Sequence, residues 1–389
     1  MPIYLIALTS FVLFLSTQVG VPVLPALAAD LGADARGMAA TLAAALMTLV
    51  LLQFFSGLLA DRYGRRRVLV AGAFLGGISS LLCAVVGRWQ FLLLLRILGG
   101  AADAIAMPAL LGLTAEISEG RHGTAFGILR SSQGLSFAVA PAMGGWLSLW
   151  GLRVPFLTDG LLSLLAGVII AFAMGGRVQV TSTSRTAEQW GQLKSIFVDR
   201  RVYAFVLFGA VNNFAFPILS SFVPTKGQLL GLAPWQVSLV VASEATVYTI
   251  SSYLAGRLSD RWGRRIFVLV AQPLIILACL GLAWSRELQS LAAFYALFGL
   301  GGSMTFLMSS VMMADITPGD RCAAVLGAFD ALIDLVIFVA PALALSLYGP
   351  LGRIEPLLLL ASVPAWLALA IAWRVQDTRP LVLALDQMC

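Results

Sequence analysis

Histidine is almost absent from this chain of 389 residues, where His122 stands alone. Lysine occurs only at Lys194 and Lys226, and charged residues of every kind make up 11% of the sequence. A single histidine rules out an imidazole-based metal centre or acid–base pair, and no activated nucleophile is visible. The chain therefore does not read as an enzyme, and nothing in it calls for a cofactor or a metal. The four cysteines, Cys83, Cys279, Cys322 and Cys389, show neither a pairing pattern nor zinc-ligand spacing. Two of them lie inside apolar runs, where a thiol behaves as a small hydrophobe.

What replaces charge is hydrocarbon. Hydrophobic residues make up 60% of the chain, against roughly 45–50% for soluble domains. Apolar runs of about 20 residues match the ~30 Å core of a bilayer, so the sequence reads as an integral membrane protein. The first run ends in Pro25-Ala26-Leu27-Ala28, which resembles a cleavable signal. No Lys or Arg precedes it and many similar runs follow, so a first membrane span is the better reading.

Charged, glycine-rich or proline-containing breaks divide the chain into twelve spans. They fall at about 4–27, 38–60, 68–87, 89–116, 124–148 and 154–174, then 202–224, 236–258, 266–285, 288–314, 322–347 and 355–374. Backbone polar groups in lipid must be satisfied internally, so spans of this length are helices. The expected domains are 1–174, a linker over 175–201, 202–374 and a tail over 375–389. Within the linker, Trp190, Leu193 and Phe197 share one helical face, as in a short interfacial helix.

With the N-terminus placed inside, 17 Lys and Arg residues fall in cytoplasmic segments and 6 in outer ones. The remaining two, Arg96 and Arg130, lie within spans. This asymmetry predicts both termini in the cytoplasm, in a plasma or inner membrane. It also accounts for the net charge of +6, so the basic balance reports topology and not nucleic acid.

A charged phrase occurs twice. Gly57 to Arg66 reads GLLADRYGRR, and Gly256 to Arg265 reads GRLSDRWGRR, with Asp61 and Asp260 separated by 199 positions. Pro25 and Pro224, Gly32 and Gly231, and Glu116 and Asp315 share that offset, and Pro141 matches Pro341 at 200. The halves therefore read as duplicated six-helix units, a pattern that places a substrate site near the midplane.

On these residues the chain resembles the major facilitator superfamily of secondary transporters over essentially its whole length. The two copies of the phrase are similar to the family's loop signature. Arg96-Ile97-Leu98-Gly99-Gly100 resembles its Arg-x-x-Gln-Gly element, with glycine in place of glutamine. Ala140-Pro141-Ala142-Met143-Gly144-Gly145 resembles the antiporter signature Gly-Pro-x-x-Gly-Gly, and assigns Pro141, Gly144 and Gly145 to helix packing. Val21-Pro22-Val23-Leu24-Pro25 is similar to an element of the twelve-span drug:proton antiporters. The resemblance implies an all-α membrane fold of two pseudo-symmetric six-helix bundles. In it, spans 1, 4, 7 and 10 line the cavity and spans 2, 5, 8 and 11 flank it. It also implies a charge relay that closes the cytoplasmic side, formed here by Asp61, Arg65 and Glu116 and by Asp260, Arg264 and Asp315. Arg66, Arg67 and Arg265 are expected only to enforce topology.

Ionisable groups inside spans are costly and are candidates for function. Asp103 lies two turns from Arg96 on one helix face, either as a proton-loading acid or as a permanent packing pair with that arginine. Asp330 and Asp334 are one turn apart and would share a proton or bind a cation. Arg130 matches Asp330 by repeat, so a state-dependent bridge between them is expected. Glu244 is a further cation or proton site, and Asn212, Asn213 and Gln133 offer uncharged hydrogen bonds. Asp159, near the outer end of its span, is assigned to structural pairing or interfacial exposure. Phe214, Phe216, Phe306 and Phe329 line a wall or simply pack.

The leading expectation is proton-coupled export of a small amphipathic molecule, cationic or zwitterionic, by alternating access. An importer or facilitator for a metabolite, or a non-transporting membrane sensor, stands as the alternative. The expected partners are the small-molecule substrate, protons and the lipid bilayer, with no nucleic acid, and a monomer as the working unit.

Overall fold

Apolar runs too long to stay in water become helices here. A computed structural model describes residues 2–118, 120–173, 200–317 and 321–378. Its fourteen α-helices among those residues are α1 (Pro2–Val19), α2 (Leu24–Asp30), α3 (Ala35–Tyr63), α4 (Arg65–Val85), α5 (Trp89–Ile117), α6 (His122–Leu147) and α7 (Val154–Ala173). The series continues with α8 (Arg200–Leu229), α9 (Pro234–Trp262), α10 (Arg265–Trp284), α11 (Leu288–Asp315), α12 (Cys322–Leu351), α13 (Glu355–Leu360) and α14 (Val363–Ala372). The linker's expected interfacial helix and the end of the tail lie outside the described residues.

Two spans are broken where the sequence places proline. The first runs through α1, a 3-10 turn at Val21–Val23 and α2. Pro22 and Pro25 have no N–H to continue the α ladder, and the amides of Val23 and Leu24 both turn back to Gly20 O at 3.2 and 3.0 Å. The last span breaks between α13 and α14, just before Pro364. Eleven spans among the described residues are long and apolar enough to cross a membrane. The remaining long helix, α6, is too polar to meet that standard because Arg130, Ser131, Ser132 and Gln133 interrupt it.

Exposed tryptophans mark the ends of α9, with Trp235 and Trp262 each 64% exposed. They are 27 residues apart, about 40 Å along a helix. That span matches a bilayer with its interfacial regions, the level where tryptophan concentrates.

The described residues form two compact units: 2–117, 135–173 and 321–331 in the first, and 118, 120–134, 200–317 and 332–378 in the second. Helices α6 and α12 are thus each divided between the units. In the first unit α3 and α4 pack on α5, α7 packs on the α4 side, and α1 packs on α7. In the second, α9, α10 and α8 surround α11. Both units rely on glycine for close crossings. A Cβ on Gly100 of α5 would overlap the Ala45 carbonyl of α3, and one on Gly144 of α6 would overlap the Val19 carbonyl of α1. Gly145 meets no atom within 4 Å at its Cβ position, and Pro141 is exposed. Of the three residues assigned to packing, Gly144 makes the contact.

Gly100→Val should destabilise the protein by about 1–3 kcal/mol, the usual cost of overpacking. Gly99→Val should be tolerated, since its nearest neighbour, Ser79 Oγ, is 3.6 Å away. Thermal unfolding of the purified variants in detergent checks both.

Candidate functional site

The repeated phrase ends one helix and begins the next. Gly64 and Gly263 turn the chain with φ of 93° and 90°, values open to glycine and strained for other residues. Two turns earlier, Gly57 and Gly256 strip the helix surface. A side chain on Gly57 would strike the Ala323 carbonyl of α12, and one on Gly256 the Gly123 carbonyl of α6. Bare backbone therefore lets the end of α3 approach the first turn of α12, and the end of α9 approach the first turn of α6.

Each approach delivers a carboxylate to a helix N-terminus. Asp61 Oδ2 accepts from the amide of Ala324 at 2.7 Å, and Oδ1 from that of Ala323 at 3.4 Å. Asp260 Oδ1 accepts from Gly123 N at 2.9 Å, and Oδ2 from Thr124 N at 2.7 Å and Thr124 Oγ1 at 2.5 Å. Unsatisfied amides and the helix dipole both favour a negative charge there.

An arginine one turn on completes each cluster. Arg65, 1% exposed, donates through Nη2 to Asp61 Oδ1 at 2.8 Å and through Nη1 to Glu116 Oε2 at 3.1 Å and the Gly112 carbonyl at 3.0 Å. Arg264, 2% exposed, pairs with Asp260 at 2.8 Å and donates through Nε to Asp315 Oδ2 at 3.1 Å. Every residue expected in the two relays thus sits in one of two charged clusters.

The second cluster also holds residues that spacing did not reveal. His122 Nδ1 lies 2.8 Å from Asp315 Oδ1, Thr378 Oγ1 donates to Asp315 Oδ2 at 2.6 Å, and Asp377 Oδ1 accepts from Arg264 N at 3.0 Å. Arg66 and Arg265 do more than enforce topology. Arg66 donates to the carbonyls of Ile170 and Ala171 near the end of α7, and Arg265 to Trp373 O, just past α14. Both satisfy carbonyls that a helix end leaves open.

The groups within the spans form two further sets. In the second unit, Arg130 donates to Gln133 Oε1 at 3.0 Å and Ser310 Oγ at 3.1 Å, and its Cζ stands 4.2 Å from the Phe306 ring centroid. Asn213 Nδ2 donates to Asp334 Oδ1 at 2.9 Å. Asn212 Oδ1 is buried over Gly302 and has no hydrogen-bond partner among the described residues. Glu244 is buried on α9, one turn from Tyr248. Phe329 is wholly buried, as core packing requires, and Phe216 is 39% exposed. Asp330 is half-buried and belongs to the first unit.

In the first unit, Arg96, Asp103 and Asp159 line one small pocket with Thr17, Ser80 and Ser163. Asp159 is not interfacial. It is 4% exposed and its Oδ2 accepts from Ser80 Oγ at 2.6 Å. Its proximity to the start of α7 suggested the interface, but packing of α7 on α4 buries that face.

Asp61→Asn removes a charged acceptor and leaves Arg65 buried with a weaker partner. Hydrogen bonds to charged groups are worth about 1.5–3 kcal/mol, so the cluster should open roughly tenfold to a hundredfold more often. Cys322, buried and adjacent to Ala323, reports this directly. In a Cys389→Ser background its thiol should be alkylated faster by about that factor.

A family model described as Major Facilitator Superfamily matches residues 6–284 and 216–386. Over 168 residues the chain is 29% identical to the quinolone resistance protein NorA of Staphylococcus aureus, covering 43% of each chain. It is 24% identical to multidrug resistance protein 2 of Bacillus subtilis over 276 residues, 68% of each. The aligned region thus spans less than half the length of the staphylococcal relative. Among solved structures, the transporter FucP in its outward conformation gives a TM-score of 0.80 at 12% identity, with 97% of this chain and 99% of that one covered. The proton:xylose symporter XylE gives 0.78 at 15%, covering 97% and 96%. Matched by the family model across both halves and by these folds along almost its whole length, the chain belongs to the major facilitator superfamily.

Proposed function

We propose that the protein is a secondary transporter that exports a small amphipathic, cationic or zwitterionic molecule in exchange for protons. The reading places both termini in the cytoplasm and takes the monomer as the working unit. The observation that carries it is the pair of carboxylate clusters, Asp61 on α12 and Asp260 on α6. Each is strong enough to hold a conformation, and each is made of hydrogen bonds and ion pairs that can exchange for water. Alternating access requires such a balance, a few kcal/mol between states. The relatives named for quinolone and multidrug resistance support export and a drug-like substrate.

Inside the spans, acids outnumber arginines. Asp103 is the first candidate for the transported proton, and Asp334 and Glu244 lie in the second unit with the amides of Asn212 and Asn213. An unpaired amide oxygen at Asn212 costs about 1–3 kcal/mol, and a ligand donor or a water would recover it. Asn212, Asn213, Asp334 and the Arg130–Phe306 pair therefore form the proposed substrate contacts. An Arg130–Asp330 bridge that changes with state belongs to the same proposal. An inside-negative potential contributes ~2.3 kcal/mol per charge per 100 mV toward inward proton movement.

Inverted membrane vesicles with an acidified lumen test this. Adding a quinolone, or a panel of lipophilic cations, should raise the luminal pH through proton exit. Asp103→Asn and Asp334→Asn should each abolish the response. Substrate flux that is indifferent to the pH gradient would overturn proton coupling and leave a facilitator.

A further inference from the structure

Asp159 has no part in the function proposed so far, yet it shares a pocket with Asp103 and Arg96. We propose that Asp159 is the second acid of the proton site: Asp103 and Asp159 together hold a single proton, with Arg96 as their common counter-charge. The inference rests on the proton-coupled reading above and adds a residue to its machinery.

Charge arithmetic is the first argument. The pocket is lined by two carboxyl groups and one guanidinium. If both acids were ionised, one negative charge would remain uncompensated in a low-dielectric bundle, at heavy cost. A single proton removes that excess. The groups facing Asp159 from neighbouring helices complete the count. They are Ser80 and Cys83 of α4, Arg96 and Asp103 of α5, and the hydroxyls Ser16 and Thr17 of α1. Among these, Arg96 is the one cation.

Size is the second. The pocket has a volume of about 30 Å³. A space of that size holds ordered water, through which a proton can reach the carboxyl groups. A guanidinium on the same wall disfavours a metal cation. Arg96 Nε is sealed from solvent without a hydrogen-bond partner among the described residues, which suits an arginine balanced between two acids more than one locked to either.

Placement is the third. Asp159 sits in the second turn of α7 and is held under α4 by Ser80. Acids contribute little to membrane orientation, so topology gives no reason for a buried carboxylate here. All thirteen lining residues belong to the first unit. The proton and the proposed substrate contacts, which lie on residues of the second unit, are then bound by separate groups. Coupling runs through the conformational equilibrium and not through direct competition for one carboxylate. The proton enters from water onto a carboxylate oxygen and leaves to water, and no other group is transferred.

The arithmetic makes an unusual demand. If either acid is neutralised, the other is left alone against Arg96, a balanced pair that needs no proton. Infrared difference spectra between acidic and alkaline buffer, recorded on the full chain in proteoliposomes, read the protonated carboxyl directly. Relative to the Asp103→Asn/Asp159→Asn double variant, whose spectrum subtracts Glu244 and the other buried acids, the wild type should show one additional titrating carboxyl. Asp103→Asn and Asp159→Asn should each lose it completely, and Asp159→Glu should retain it. Unfolding midpoints confirm that the variants are folded. Loss in Asp103→Asn with full retention in Asp159→Asn overturns the inference and leaves proton coupling through Asp103 intact. Retention in both variants overturns the inference as well. Failure of the parent reading shows elsewhere, as absence of gradient-driven flux in the vesicle experiment.

Discussion

A carboxylate resting on the first turn of another helix is the interaction on which this architecture depends. Asp61 and Asp260 each collect backbone amides that would otherwise be left unsatisfied at the starts of α12 and α6. The geometry is possible only because glycine removes the side chains between the crossing helices. It then makes a buried arginine affordable: Arg65 and Arg264 are almost fully enclosed, yet their donors find carboxylates and carbonyls. Remove the acid, and the arginine becomes an uncompensated buried charge, the costly half of any internal ion pair. Glycine, aspartate and arginine thus form one device, and none of the three explains its position alone.

Duplication copied that device but not its surroundings. Around Arg65 the further partners are Glu116 and the Gly112 carbonyl. Around Arg264 they are Asp315 and Ser259, with His122, Thr378 and Asp377 binding the same cluster from α6 and from the segment after α14. The second cluster ties more of the chain together than the first. The buried polar groups diverged further still. The first unit gathers Arg96, Asp103 and Asp159 into one small pocket, and the second spreads amides, an arginine and an aromatic ring over several helices. A small, charge-rich pocket and a larger, mixed polar and aromatic surface suit different ligands. On the proposed reading, that is a division between proton and substrate.

Much of the fold was legible because lipid imposes simple rules. Apolar length marked eleven of the spans, and several helices, such as α3, α8, α9 and α12, extend a few residues past their expected ends. The more polar helix α6 was delimited by its flanking breaks. The charged phrase could be read because its residues act locally and recur at a fixed offset. His122 and Thr378 could not be, since their partner Asp315 lies 193 and 63 positions away with no second copy to signal the contact. For Asp159, pairing and interfacial exposure both stayed open for a related reason, and the structure shows the pairing. Depth along a span is visible in sequence, but which face of the span is covered by a neighbour is not.

The repeat itself has limits as a guide to function. Arg130 and Asp330 occupy matching positions and carry opposite charge, so symmetry of scaffold gives no symmetry of chemistry. In water such divergence would be cheap and uninformative. Within a bilayer each buried charge must be paired or neutralised, and each carries a cost that packing alone does not recover. The positions at which the two copies disagree are therefore the most informative ones in the chain. Where they agree, as at Asp61 and Asp260, the shared residues build the common mechanism of the two units. Where they differ, as at Asp103, Asp159, Arg130 and Asp334, the proposed reading assigns each unit a separate task that offsets the cost of burial.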